Sequence, residues 1–452
     1  MKNVLLVSFH FPPDAAVGGF RAQKFAKYLP QHGWTPHVLT VKERHYSALD
    51  RGRIADVVGV SIHRTGMLPS PLAGLVGARN ALLRVSGRAG ALERRAEANA
   101  RMTFEQRDRI EVTMAGRLRR LVLSLGRMPD DQIGWLVPAV SKGLRICREA
   151  PIHAIVTSGP PQTGHLIGLW LKRFTGLRWI ADFRDPWIGN PGKPHTFRSR
   201  MSDRLERRME SSVVRSADRI VLLTDSAHAS LARRYPGEPA TKFVTILNGF
   251  DADDFSSLPP IAPELAFTVA HVGSLYFHRS PVAFLTAIAN LVEHGKIPPS
   301  DIQVVFAGEV ADGHDVAGWA AAGLLAGVIR IIGPVGHREA LAWMRRADLL
   351  CLFAQGQREQ IPAKVFEYLA AGAPILAITG EGSTGNLVSR AGGAVVPDES
   401  WAIEDAIYQQ YLKYQAGARP ASQDLPWARE EIRPYDRRHL AGQMAALLES
   451  RG

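Results

Sequence analysis

Two glutamates late in the chain, Glu359 and Glu367, are spaced E-x7-E across the start of an apolar helical segment. Glu367 lies in Phe366-Glu367-Tyr368-Leu369-Ala370-Ala371-Gly372, where a carboxylate among apolar neighbours needs hydrogen-bond donors. A ribose diol offers two hydroxyl donors, and Glu359, just ahead of the helix, would face further sugar hydroxyls. Upstream, Gly273-Ser274-Leu275 follows an apolar run, and Arg279 comes six residues after the glycine. A glycine loop beside a fixed cation suits a diphosphate, because charge-assisted hydrogen bonds to phosphate oxygens are strong. Lys364, two positions after Pro362, adds a second cation at a helix start, where the helix dipole contributes partial positive charge. Any one lysine or arginine is ordinarily a solvated surface group. Two at loop-to-helix junctions of one region are harder to dismiss.

The first half has its own candidates. Phe9-His10-Phe11-Pro12-Pro13 ends a strand and leads to Gly18-Gly19 at a helix start, where backbone N–H groups can approach an anion. The strand through Trp179-Ile180-Ala181 runs into Asp182-Phe183-Arg184-Asp185-Pro186-Trp187. Three charges at a strand's carboxyl end, Asp182, Arg184 and Asp185, point to a functional site at the expected cleft or to an internal ion pair that fixes the loop. His165, at a helix start after a Pro-Pro turn, reads as structural.

Short apolar runs alternating with amphipathic helices position these residues, which implies parallel βαβ units. Strands are expected at Asn3–Phe9, Thr35–Thr40, Gly59–Arg64, Ala154–Thr157, Arg178–Asp182, Arg219–Leu223 and Phe243–Ile246. A second set follows at Phe267–Val272, Gln303–Ala307, Ile329–Ile332, Leu349–Phe353, Ile375–Ile378 and Ala394–Val396. The stretch from Asn248, rich in Asp, Ser and Pro, reads as a linker. The expected organisation is an α/β domain at 1–247 with a helical insertion at about 68–135 and a linker at 248–266. A second α/β domain at 267–432 and a final helical segment at 433–452 complete it. Two open α/β sheets would face each other across a cleft at the carboxyl ends of their strands.

Composition narrows the classes. The chain has 452 residues, 46% hydrophobic and 22% charged, which fits two or three globular domains and excludes disordered or collagen-like chains. No apolar run approaches the ~20 residues of a membrane span. Met1-Lys2-Asn3 before Val4-Leu5-Leu6-Val7 reads as a buried strand, not a secretory signal. Cys147 and Cys351 are too few for a disulfide framework or a four-cysteine zinc site, and read as buried thiols in a cytoplasmic protein. The net charge of +12 is uneven: Arg79–Arg127 holds twelve arginines and five acids. Leu118, Leu121, Val122 and Leu125 make one apolar face there, with Arg117, Arg119, Arg120 and Arg127 on its flanks. That suits an anionic membrane surface, or a helical hairpin with a solvated basic face. Phe104 is the one aromatic in the stretch, so no stacking platform for nucleic acid is visible.

Together these motifs resemble, over nearly the whole chain, a retaining glycosyltransferase of the GT-B fold, family 4. The resemblance rests on the Phe-x-Phe-Pro-Pro and Gly18-Gly19 loop, Pro129-Asp130-Asp131-x-x-x-Trp135, Ser158-Gly159-Pro160-Pro161 and the Asp182–Trp187 block. It also rests on Asn248-Gly249-Phe250-Asp251, Pro362-Ala363-Lys364-Val365-Phe366-Glu367-Tyr368 and Gly380-Glu381-Gly382-Ser383. It implies two Rossmann-like domains, the first acceptor-binding with Asp182, Arg184 and Asp185 on the acceptor side and the second nucleotide-sugar-binding, a final helix that crosses back to the first, and a UDP- or GDP-sugar donor. Glu367 would bind the donor ribose, Glu359 would lie near the transferred sugar, and Arg279 and Lys364 would hold the diphosphate. Backbone at Gly333–Val335 would meet the base, and Gly18, Gly19, Gly273, Ser274, Gly382 and Ser383 would approach the donor. Arg184 stands where many members have a histidine, and Pro362 where a glycine is usual. Asp251-Ala252-Asp253 resembles a metal-binding Asp-x-Asp, but its linker position makes it an accident, and no metal or further cofactor is expected.

The expected reaction is transfer of a hexose to a hydroxyl of a lipid-linked saccharide, with retention, at the inner membrane face. A nucleotide-sugar epimerase or hydrolase on the same fold would turn over without an acceptor. A non-catalytic basic adaptor would tolerate loss of both glutamates.

Overall fold

The computed structural model describes residues 1–69, 128–189, 200–262, 264–275, 279–311, 313–321, 323–356, 358–417 and 429–450. The Arg-rich stretch 79–127, with its expected basic amphipathic face, lies outside the described residues. The chain divides into two compact units. One comprises Met1–Val221, Gly237–Val244 and Ala445–Gly452, and the other Leu222–Pro236 and Thr245–Met444.

The first sheet has seven strands in the order β3-β2-β1-β4-β5-β6-β7. They are β1 (Lys2–Ser8), β2 (Trp34–Val41), β3 (Ser61–Thr65), β4 (Ile152–Gly159), β5 (Arg178–Phe183), β6 (Arg219–Leu222) and β7 (Phe243–Thr245). Strands β3, β2, β1, β4 and β5 pair in parallel. In β1, residues Val4 to Ser8 are all buried, as expected for a central parallel strand covered on both faces. The helices Phe20–Tyr28, Leu136–Glu149, Thr163–Thr175 and Arg200–Ser216 belong to this unit. The Pro-Asp-Asp-x-x-x-Trp segment is structural here. The Asp130 carboxylate accepts from the Thr163 amide (2.9 Å) and hydroxyl (2.6 Å), capping Thr163–Thr175 from a distant part of the chain. Trp135, fully buried, donates to Thr65 Oγ1 at 2.8 Å.

The second sheet has six strands in the order β10-β9-β8-β11-β12-β13. They are β8 (Phe267–Val272), β9 (Ile302–Ala307), β10 (Ile329–Ile331), β11 (Leu349–Phe353), β12 (Ile375–Ile378) and β13 (Ala394–Val396). All are parallel. The flanking helices are Val282–Glu293, His337–Arg346, Lys364–Ala371, Ser383–Arg390 and Ser400–Gln415. The expected linker has local order: Asp251 caps a short helix, Ala252–Ser256, through the Asp253 amide, and Phe250 and Phe255 join this unit's core. Asp253 itself pairs with Arg438 at 3.1 Å. The last helix, Arg437–Glu449, passes from one unit's residues to the other's at Met444.

Both orders place strand 1 of each sheet beside the fourth, so the chain reverses direction of growth between them. Neighbouring loops part at such a switch point and leave room for a ligand at the strands' carboxyl ends.

Candidate active site

In the second unit the switch point lies between β8 and β11. These strands pair only at Leu349–Val269 and Leu350–Ala270. Beyond that register they separate, and two side chains fill the gap. His271, 2% exposed, has Nδ1 2.9 Å from the Cys351 carbonyl. Tyr368 reaches in from the helix Lys364–Ala371; its hydroxyl accepts from the Val272 amide at 2.8 Å and lies 3.4 Å from the Cys351 carbonyl. Burial raises the Tyr368 phenol and the Cys351 thiol far above their usual ranges, so both stay neutral.

Lys364 begins that helix, with Nζ 3.2 Å from His271 Nε2. A Cβ built on Gly273 would lie 2.7 Å from Lys364 Nζ, and Gly273 adopts φ +119°. Only glycine meets both demands without strain. Loss of hydration, followed by repulsion from Arg279, pushes Lys364 down to about 7, while the Cys351 thiol and Glu367 act in the opposite direction. His271 is held well below its usual value by burial and by Lys364. Glu367, one turn along the same helix, has Oε1 3.1 Å from Nε2 of His337, the first residue of helix His337–Arg346. Val335 precedes that helix, half-buried against the core the Lys364 helix also packs on. Gly273, Arg279, Lys364 and Glu367 therefore come together, with Ser274 next in the loop.

Glu359, Gly382 and Ser383 form a neighbouring group. A Cβ on Gly382 would lie 2.9 Å from Arg358 Cα, so only glycine lets these backbones approach. The Ser383 amide donates to the Arg358 carbonyl at 3.0 Å, and the Thr384 hydroxyl to that of Gln360 at 2.9 Å. The Glu359 carbonyl accepts from Thr224 Oγ1 at 2.6 Å, and Ser226 Oγ lies 2.7 Å from Ser383 Oγ. The Glu359 backbone is thus clamped from both sides while its side chain stays half-buried.

In the first unit, Asp182 has no exposed surface. Its carboxylate accepts from Arg21 Nε at 3.0 and 2.9 Å and from Ser158 Oγ at 3.1 Å. Arg184 binds the carbonyls of Gly18, Pro160 and Gly159, so it ties the Gly18-Gly19 loop to the end of β4. The Gly19 amide is taken by the Ala16 carbonyl at 3.0 Å. Asp185, half-buried, supports the charge on Arg184. His165 is fully buried, with Nδ1 2.8 Å from Thr157 Oγ1 and its ring 4.4 Å from that of Phe183. Burial and Arg184 push it down to about 3.

Residues missed in the sequence are His271, Tyr368 as a wedge, His337 and the Thr224–Ser226 pair. The signal for His271 was faint: a lone histidine in an apolar strand.

A family model described as "Glycosyl transferase 4-like domain" matches residues 18–249, and "Glycosyl transferases group 1" matches 266–411. No curated protein matches. Among solved structures, Anabaena Alr3699/HepE in complex with UDP-glucose aligns with TM-score 0.61 at 15% identity, covering 100% of both chains. WaaG, a glycosyltransferase involved in lipopolysaccharide biosynthesis, gives 0.55 at 14%, covering 99% of this chain and 100% of its own. A putative UDP-N-acetylglucosamine 2-epimerase from Listeria monocytogenes gives 0.52 at 12%, covering 99% and 96%. At such identities the likeness is one of fold.

Proposed function

The chain belongs to the glycosyl transferase 4-like, group 1 glycosyltransferases of the GT-B fold, and we propose that it moves a hexose from a UDP- or GDP-sugar to a hydroxyl of a lipid-linked saccharide, with retention. The observation that carries the donor half is the convergence of Lys364, Arg279 and Gly273 at the end of β8, with Glu367 one turn away. In this reading Gly273 and Ser274 let the diphosphate approach the backbone, and Lys364 and Arg279 bind its oxygens. Glu367 accepts from the ribose hydroxyls, with His337 orienting its carboxylate. The stretch around Val335 borders the base. Glu359, Gly382 and Ser383 line the sugar side.

Breaking the bond between the anomeric carbon and the phosphate oxygen leaves its electron pair on the diphosphate. Stabilising that charge is the largest catalytic demand, and two preplaced cations, Lys364 at a helix start and Arg279 from the loop after β8, meet it. The acceptor oxygen then bonds to the anomeric carbon on the face the phosphate leaves, and its proton passes to the departing phosphate. Gly18 and Gly19 approach the donor's phosphates or sugar, and Arg184 and Asp185 shape the acceptor side. Asp182 acts behind them by holding Arg21.

The HepE complex with UDP-glucose supports a UDP-sugar donor, and the likeness to WaaG, a glycosyltransferase involved in lipopolysaccharide biosynthesis, fits a lipid-linked saccharide acceptor. A membrane-bound acceptor fits the basic stretch Arg79–Arg127. Among the described residues no helix is long and apolar enough to cross a membrane. Thermal-shift screening against UDP, GDP and their sugars tests the donor, since ligand at 100 times its Kd stabilises by about 2.7 kcal/mol. No shift with any of them would sink the reading. Liposomes with anionic lipid should hold the wild type and release a variant with Glu at Arg117, Arg119 and Arg120.

A further inference from the structure

His271 is an unusual neighbour for a lysine: buried, in an apolar strand, and aimed at the ammonium. A carbonyl oxygen only accepts, so the 2.9 Å contact with the Cys351 carbonyl puts the ring proton on Nδ1. Nε2 is then a bare lone pair, and it lies 3.2 Å from Lys364 Nζ. The strand divergence after Leu350–Ala270 makes the place for the ring, and the Tyr368 hydroxyl shares the Cys351 carbonyl from the other side. Sequence spacing links none of these groups: His271 and Cys351 are 80 residues apart, and His271 and Lys364 are 93.

We propose that His271 is a positioning residue for the phosphate-binding lysine: its neutral imidazole, locked by the Cys351 carbonyl, accepts from Lys364 through Nε2 and holds the ammonium charged over Gly273. A neutral acceptor is the chemically suitable choice. A carboxylate there would satisfy the ammonium outright and compete with a phosphate. An apolar side chain would leave a poorly hydrated cation to lose its proton. The imidazole stabilises the charged form without cancelling the charge. The ionisable groups facing the pair are Arg279 from the loop after β8, the Cys351 thiol from β11, and Glu367 and Tyr368 from the lysine's own helix. Arg279 disfavours the charge on both members, and Glu367 favours it on Lys364.

The inference rests on Lys364 as a diphosphate ligand, so the test reads the lysine directly as well as through the ligand. His271→Asn keeps an N–H for the Cys351 carbonyl but withdraws the acceptor from Lys364, whereas His271→Gln returns an acceptor at the Nε2 position. On the full chain, reductively methylated with 13C and assigned through Lys364→Met, the Lys364 signal is titrated by NMR. UDP and GDP affinities are measured calorimetrically from pH 7 to 9. The Asn variant should titrate about one pH unit lower than wild type and bind about tenfold more weakly at pH 8, and the Gln variant should recover most of both. Matching Lys364 titrations in wild type and a folded Asn variant overturn the proposal. So does a Gln variant that is folded yet titrates no closer to wild type than Asn. If the Asn variant does not fold, the Gln variant alone decides, by a wild-type-like titration or by its absence. If wild type binds neither nucleotide, the donor reading fails, while the NMR titration still decides the contact.

Discussion

The carboxyl ends of the two sheets carry charged clusters at the same topological position, and they treat charge in opposite ways. In the first unit the protein answers its own charges: Asp182 is closed by Arg21 and Ser158, and Arg184 is spent on three backbone carbonyls. In the second, Lys364 meets a neutral imidazole and remains partly accessible, with Arg279 close enough to repel it. The first cluster builds a rigid rim. The second keeps an electrostatic deficit that an anion would fill. Corresponding ends of the two sheets thus differ: one commits its charges to the protein, and the other leaves a cation partly accessible.

Breaking the rim should give the largest effect. Asp182→Ala takes the bidentate carboxylate from buried Arg21 and should cost about 3–5 kcal/mol of stability by urea unfolding, with nucleotide affinity unchanged in the surviving fold. Removing the second cluster's lysine should do the reverse. Lys364→Met should weaken UDP or GDP binding by about 10- to 100-fold in calorimetry, the loss of a charged hydrogen bond, and leave the melting temperature unchanged or higher. A lysine that weakened unfolding and not binding would erase the contrast.

Acid sharpens it further. His165 in the first unit and His271 in the second are both held neutral by burial. Each folded pKa lies below the unfolded value, so their contribution is intact above about pH 6.5 and lost as pH falls toward the folded value, about 3 for His165. At pH 5 His165 should have cost about 2 kcal/mol, and His271 acts in the same direction. His165→Phe should flatten the acid limb of the stability profile. The smallest expected change is Glu367→Gln, which keeps shape and lowers nucleotide affinity by about tenfold; deoxyribose diphosphates should feel it less.

Much of this was legible in the chain. Alternating apolar runs located the strands of both sheets, because buried parallel strands read as continuous apolar stretches. Glycine and proline punctuation placed Gly273 in a loop after its strand and Arg279 and Lys364 at loop-to-helix junctions, with Glu367 inside the helix. What stayed hidden depends on distant partners. Asp182 reads the same whether open to a ligand or closed by Arg21, which lies 161 positions away. The sequence suggests an ion pair inside the loop itself, whereas the fold closes Asp182 with Arg21 and turns Arg184 to backbone carbonyls. Asp130 looks like part of a motif but caps a helix that begins at Thr163. His271 looks like core because it is core; its second contact exists only once Lys364 arrives from another element.

Tyr368 has one more implication. Strands β8 and β11 stop pairing two residues short of where their sequences would permit, and the phenol takes the Val272 amide that a longer ladder would have used. The tyrosine is a doorstop: it satisfies the backbone cheaply enough that the sheet has no incentive to zip shut over its own pocket. Tyr368→Phe keeps the ring in the gap but strands that amide, so the seam should loosen there without closing, and the strand ends would stay apart at a cost in stability.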